Sequence, residues 1–207
     1  EIKNMVPFEP FDFYIKRKLY VHNMGHATCA YLGDLLGLEY IYQSIDVADV
    51  RILVQNAMLE SAMALSKKYG VALADIQNHI GALLFRFTNA ALKDTCKRVG
   101  GDPKRKLSPA DRMIGAANTA LEQGVTPAYI AVGAAAALWR YIKEAEGTEQ
   151  SEDSAKAVLA EVSQLDAEGT LAQMILSMYR LLLDGKTISE IRRAADIVKH
   201  DALPSRP

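Results

Sequence analysis

Apolar residues return at helical spacing along almost the whole chain, and the breaks between such runs fall at glycine, proline and polar clusters. From Asp12, a residue suited to cap a helix, one run passes through YIKRKLYVHNMGHATCAYLGDLLG and ends near Gly33 and Gly37. A second begins at Asp46 and sets Val50, Leu53, Val54, Ala57, Met58 and Ala64 on one side. Lys67 and Lys68 suit the negative end of its dipole, and Gly70 suits the position just past its end. A third covers 72–87, with Ile76, Ile80, Leu83 and Leu84 together, and a shorter one runs from Ala90 to Val99. Gly100, Gly101 and Pro103 then interrupt the pattern. Ser108-Pro109-Ala110-Asp111 predicts a capped helix start, running to about Gln123 and stopped by Gly124. Pro127 opens an alanine-rich helix through YIAVGAAAALWRYIKEA. The polar stretch 146–154 predicts a surface turn, and three more helices are expected over 154–164, 167–183 and 187–199.

The expected fold is therefore all-α, a bundle of about nine helices. Residues 1–10 read as a connector, 11–203 as one helical domain and 204–207 as a tail. No βαβ alternation and no GxGxxG loop is present, so no dinucleotide fold is expected within the chain. The chain opens on Glu1 with EIKNMVPFEPFDF, which reads like the middle of a longer protein.

Composition narrows the function classes. With 207 residues and half of them hydrophobic, the chain can bury a core without metals or disulfides. A formal net charge of -1 gives no global attraction to nucleic acid or an anionic membrane, and no long apolar run predicts a membrane span. Cys29 and Cys96 have no CxxC spacing, which suggests reduced thiols and a cytoplasmic protein. His22, His26, His79 and His200 form no HExxH pattern, so no metal cofactor is expected. His22 reads as packing beside the first helix's polar face, His79 and His200 as structural or exposed, and Trp139 as core.

The first helix concentrates the polar chemistry. On an α-helix, His26 lies about 80° and Asn23 about 140° around from Lys18, so the three share a face. Gly25 beside them leaves room for a ligand or another backbone. A lysine can exchange a proton with a hydroxyl while an amide and an imidazole donate to its oxygen. Taken alone, such a lysine is more often a solvated charge, and an isolated asparagine or histidine a satisfied structural group.

Lys18, Asn23 and His26 form the pattern K-x4-N-x2-H, which resembles the signature of the polyol-specific long-chain dehydrogenases. RKLYVHNMGHATCAYLG is closest to the mannitol-1-phosphate branch. RFTNAALKDTCKRVGGDPKRKLSPADRMI resembles that branch's second block, and the match holds in register over residues 13 to 115. The resemblance implies a helical domain of the 6-phosphogluconate-dehydrogenase C-terminal-like type, closing over a separate N-terminal Rossmann domain that binds NAD. It implies Lys18 as general acid/base, with Asn23 and His26 holding the reacting oxygen. It implies a sugar-phosphate substrate, with mannitol 1-phosphate and fructose 6-phosphate interconverted. The family often has an acidic residue two positions before the lysine. Here that residue is Lys16, a second cation able to depress the lysine's pKa or a sign that the proton path differs.

Lys93, Lys97, Arg98, Lys104, Arg105, Lys106 and Arg112 outnumber Asp94, Asp102 and Asp111 in the second block. Singly each reads as a solvated edge; together they suit an anionic substrate. By the resemblance Arg98 and Lys106 meet polyol hydroxyls, and Arg105 beside Lys106 is the candidate for the phosphate. Asn89 and Asp94 match the same block and suit bracing its loop. Gly101 stands where some mannitol enzymes have a larger side chain, which favours a bulkier, phosphorylated substrate. Two rivals stay open: an unphosphorylated polyol or sugar acid as substrate, and a stand-alone helical interaction or regulatory domain.

Overall fold

A computed structural model describes residues 10–202; of the expected connector over 1–10 only Pro10 is among them, and the expected tail over 204–207 lies outside. Among the described residues the fold is all-α, and the only strand-like pairing is one bridge between Tyr40 and Thr95. The first helical run is α1 (Phe11–Lys16), a π-helical stretch over Arg17–Asn23, and α2 (Met24–Leu35), joined end to end. Asp12 lies in the first turn and Pro10 is the capping position, so the expected cap is displaced by two residues.

The second run divides. Tyr40 starts α3 (Ile41–Asp46), and extended Val47 separates it from α4 (Ala48–Tyr69). Asp46 therefore ends one helix where it was expected to start another. Arg51 bonds the Ile45 carbonyl at 3.0 Å and so closes the end of α3. The other end of α4 is as the pattern predicts, with Lys67 and Lys68 in its last turn and Gly70 left-handed.

α5 (Leu73–Phe87) buries Ile76, Ile80, Leu83, Leu84 and Phe87. The expected helix over 90–99 divides into a 3-10 turn, Ala90–Leu92, and α6 (Cys96–Val99). The break at 100–103 contains a single-turn α7 (Pro103–Lys106), capped by the Asp102 carboxylate. The start predicted at Ser108 fails: α8 (Ile114–Glu122) begins six residues later. The Ala110 carbonyl is taken by the Tyr20 hydroxyl, and Met113 N–H turns back to the Lys106 carbonyl, so 108–113 is tied to its neighbours as a turn.

α9 (Ala128–Glu144) is the central rod, packed by α2, α4, α11 (Thr170–Leu183) and α12 (Ile188–Asp201), with α10 (Glu152–Glu161) against both α11 and α9. Its alanines are buried almost without exception, which permits close helix approach. Trp139 is partly buried against Tyr179. α9 begins on a buried carboxylate. Glu60 of α4, 1% exposed, accepts from Tyr129 N–H and Ile130 N–H and pairs with Lys199 of α12 at 3.0 Å. Burial raises this carboxyl to about 7, against the opposing pull of Lys199.

Candidate active site

The π-helical stretch changes the geometry of the first helix where its chemistry lies. In a π-helix each carbonyl bonds the N–H five residues on, which brings positions five apart towards one side of the helix. Lys18 and Asn23 are five apart, so the amide turns towards the lysine's side of the helix instead of standing about 140° away as on an ideal α-helix. His26 follows three residues later in α2, on the same face. Lys18 is exposed, and Asn23 and His26 are half-buried. Among the described residues neither the Lys18 ammonium nor the Asn23 amide has a side-chain hydrogen bond. Both heads of the row are open to a ligand.

Gly25 does not face that ligand. It is buried, and a Cβ there would stand 2.5 Å from Met58 Cγ, so its room is used by α4. Lys16 also leaves the row: its ammonium donates to the Tyr20 hydroxyl at 3.1 Å, towards the carbonyl of Ala110.

His26 is held on two sides. Its ring stacks on Phe87, with centroids 4.7 Å apart and planes 14° apart, and its Nε2 lies 3.5 Å from Asp94 Oδ2. The other Asp94 oxygen binds Arg98. The backbone fixes Asp94. Its carbonyl accepts from Ile41 N–H at 2.9 Å, and Cys96 N–H donates to Glu39 at 2.8 Å. Lys93 before it is left-handed, and Thr95 after it caps α6. Burial lowers His26 to about 4, with Asp94 opposing and His22, Arg98 and Arg86 adding to the fall, so the ring is neutral near pH 7. His22, one turn earlier, is lowered by burial and then by Arg86, His79 and Lys18. Together with Tyr42, Asn89 and Leu92, these groups line a recess of about 30 Å³, enough for a water molecule.

Arg105 and Lys106 belong to a second cluster on α7. Arg105 binds Asp102 at 2.7 Å and Asp111 at 3.4 Å, so two carboxylates balance its charge. Lys106 is buried, and its ammonium has no hydrogen bond or ion pair among the described residues. Burial, then Arg112 and Arg105, lower it to about 8. Arg112 binds Asp111 beside them at 2.8 Å. No hydrogen bond or ion pair among the described residues joins this cluster to His26; Arg98 is the member of the basic stretch that the fold brings there.

Sequence reasoning did not foresee Phe87 as a partner of His26, nor the union of His26 and Arg98 through Asp94. Asp94 was legible as part of the second block, but nothing in local spacing placed it against α2.

Comparison with known proteins agrees with this architecture. Residues 11–196 match the family described as mannitol dehydrogenase C-terminal domain. A mannitol-1-phosphate 5-dehydrogenase of Exiguobacterium sp. is 36% identical over 186 residues, 87% of this chain and 49% of that protein. One from Caldanaerobacter subterraneus is 37% identical over 180 residues, 84% of this chain and 46% of that protein. This chain spans about half the length of the curated relatives it matches. Among solved structures, a Pseudomonas fluorescens mannitol 2-dehydrogenase ternary complex with NAD and D-mannitol superposes with a TM-score of 0.69 at 18% identity, over 90% of this chain and 41% of that one. A substrate-free D-sorbitol dehydrogenase gives 0.64 at 17% identity, over 89% and 41%. With almost its whole described length matched by the family's own pattern, the chain belongs to the mannitol dehydrogenase C-terminal domain family.

Proposed function

We propose that this chain is the substrate-binding and catalytic domain of an NAD-dependent oxidoreductase that interconverts mannitol 1-phosphate and fructose 6-phosphate. The observation that carries the reading is the row made by the π-helical stretch, with the unpaired heads of Lys18 and Asn23 beside the neutral ring of His26. In this reading Lys18 takes the proton of the hydroxyl being oxidised and returns it in the reverse direction. Asn23 and His26 hold the same oxygen as charge develops on it. Arg98, tethered by Asp94 beside His26, and buried Lys106 meet further hydroxyls, and Arg105 is the candidate for the phosphate.

The described residues do not fit a dinucleotide. No strand-to-helix glycine turn occurs among them, and the start of α9 already holds the Glu60 carboxylate. The reading therefore gives this domain the polyol and its proton, and leaves NAD to a Rossmann domain elsewhere in a longer enzyme, with no metal required. Phe11, Ile15 and Phe85 stay exposed in α1 and α5, the elements that flank the row, as a face covered by another domain would.

A second reading, oxidation of an unphosphorylated polyol, is favoured by one observation: Arg105 already has two carboxylates. The test is kcat/KM of the full-length enzyme with NAD on mannitol 1-phosphate and on mannitol, before and after Arg105→Ala. Under the first reading the wild type prefers the phosphorylated substrate. The variant then loses about 10- to 150-fold on it, the worth of a charge-assisted contact, and little on mannitol. Equal losses on both make Arg105 a brace for α7, and a wild type that prefers mannitol overturns the phosphate.

A further inference from the structure

We propose that Asp94 is a positioning residue whose one carboxylate sets the proton of His26 on Nε2 and anchors Arg98, so that the imidazole presents its lone pair at Nδ1. The inference rests on the proposed function only for its catalytic consequence; the arrangement itself is geometric.

Three observations carry it. The carboxylate faces one ring nitrogen, Nε2, from 3.5 Å, and an anion there favours the tautomer with its hydrogen on that nitrogen. The plane of the ring is held by Phe87, which lies flat against it, so the edge carrying Nε2 stays in the plane that meets the carboxylate. The carboxylate cannot follow a moving ring. Its backbone is pinned to the start of α3 by the Ile41 bond, and its second oxygen is held by Arg98. Burial, with His22, Arg98 and Arg86, disfavours a second proton on the ring and outweighs the opposing pull of Asp94. His26 is then a neutral ring of defined tautomer, and its open nitrogen accepts a hydrogen bond. This departs at one point from the proposed function and from the expectation drawn from the resemblance, in both of which His26 helps to hold the reacting oxygen. The donor to a developing alkoxide is the Asn23 amide, the single proton of the reacting hydroxyl goes to Lys18, and the open nitrogen of His26 accepts from a neighbouring hydroxyl of the polyol.

The experiment is ¹⁵N–¹H NMR of the ring nitrogens in the 207-residue chain at neutral pH, for the wild type and for Asp94→Asn. The wild type is expected to show a neutral ring with the Nε2–H pattern. Asp94→Asn, the same size without the charge, is expected to show both tautomers in exchange, and Asp94→Glu to recover part of the preference. A wild type protonated on Nδ1 overturns the proposal whether or not the variants fold. So does an Asp94→Asn chain that folds and keeps the wild-type pattern. In the full-length enzyme, Asp94→Asn is expected to lower kcat by up to about 100-fold, the cost of a misplaced group. A tautomer that responds in a protein that oxidises no polyol would overturn the proposed reaction and leave this inference standing. An active enzyme whose tautomer ignores Asp94 would do the reverse.

Discussion

At Lys18 the chemistry depends on one exposed side chain with no protein partner among the described residues. Its removal therefore disturbs little besides the reaction. Lys18→Ala in the full-length enzyme is expected to lower kcat by ~100- to 10,000-fold with an unchanged melting temperature. Steady-state kinetics beside a thermal melt checks both halves, and a kcat within a few-fold of wild type removes Lys18 from the mechanism. His26 gives a prediction of stability. Its ring titrates near 4 when folded and near 6.5 when unfolded, so in that interval the unfolded chain binds a proton that the folded chain refuses. The group's contribution is complete above 6.5 and is lost as the pH falls through 4. His26→Gln is expected to flatten that acid limb by on the order of 1–3 kcal/mol in urea midpoints measured from pH 7 to pH 4. Lys18 and His26 were legible from helical spacing joined to the family pattern. Asp94 and Phe87 were not, since only the tertiary fold carries them to α2.

Among the elements, helical periodicity found nearly every buried stripe but misread several joints. Extended Val47, the turn at 108–113 and the π-helical stretch all fall inside stretches whose period is helical, and the turn is tied to a distant partner by the Tyr20 bond to Ala110, which period alone cannot register. The π-helical stretch matters most, because one extra residue per turn is invisible in a count of apolar positions yet decides how Lys18 and Asn23 align. The glycines of α2 are legible as unusual in a helix, but their use was misjudged for Gly25. They admit neighbouring helices: a Cβ on Gly33 would meet Cys96 Sγ at 2.7 Å and Ser44 Cβ at 2.8 Å. Gly33→Ala is expected to destabilise the fold by about 1–3 kcal/mol, as overpacking does, although alanine is the better helix former. A urea midpoint equal to or above that of the wild type would show that α3 and α6 yield at no cost.

Across the whole molecule, Glu60 ties three helices: it lies in α4, receives the first N–H groups of α9 and pairs with Lys199 of α12. Its carboxyl titrates near 7 when folded and near 4.5 when unfolded, so its effect on stability has the opposite sign to that of His26. The folded chain keeps a proton that the unfolded chain has released, and this contribution is present below 4.5 and lost as the pH rises through 7. Glu60→Gln is expected to remove that decline, most visibly between pH 5 and 8, in melting temperatures read against the wild type. Glu60→Ala strips both the N–H groups and Lys199 of their partner and is expected to cost about 3–5 kcal/mol at pH 7. The all-α class was fully legible, but this buried carboxylate was not, since Glu60 reads in sequence as one more surface charge on a long helix. The same tie has a consequence in time. Lys199 follows Glu60 by 139 positions, and at about 5–20 residues per second the ribosome supplies it roughly 7–28 s later. Through that interval a nascent chain can fold α4 against α2 but cannot complete the clamp on α9. A protease or chaperone that samples chains during synthesis would meet a half-closed bundle whose last lock is still unmade.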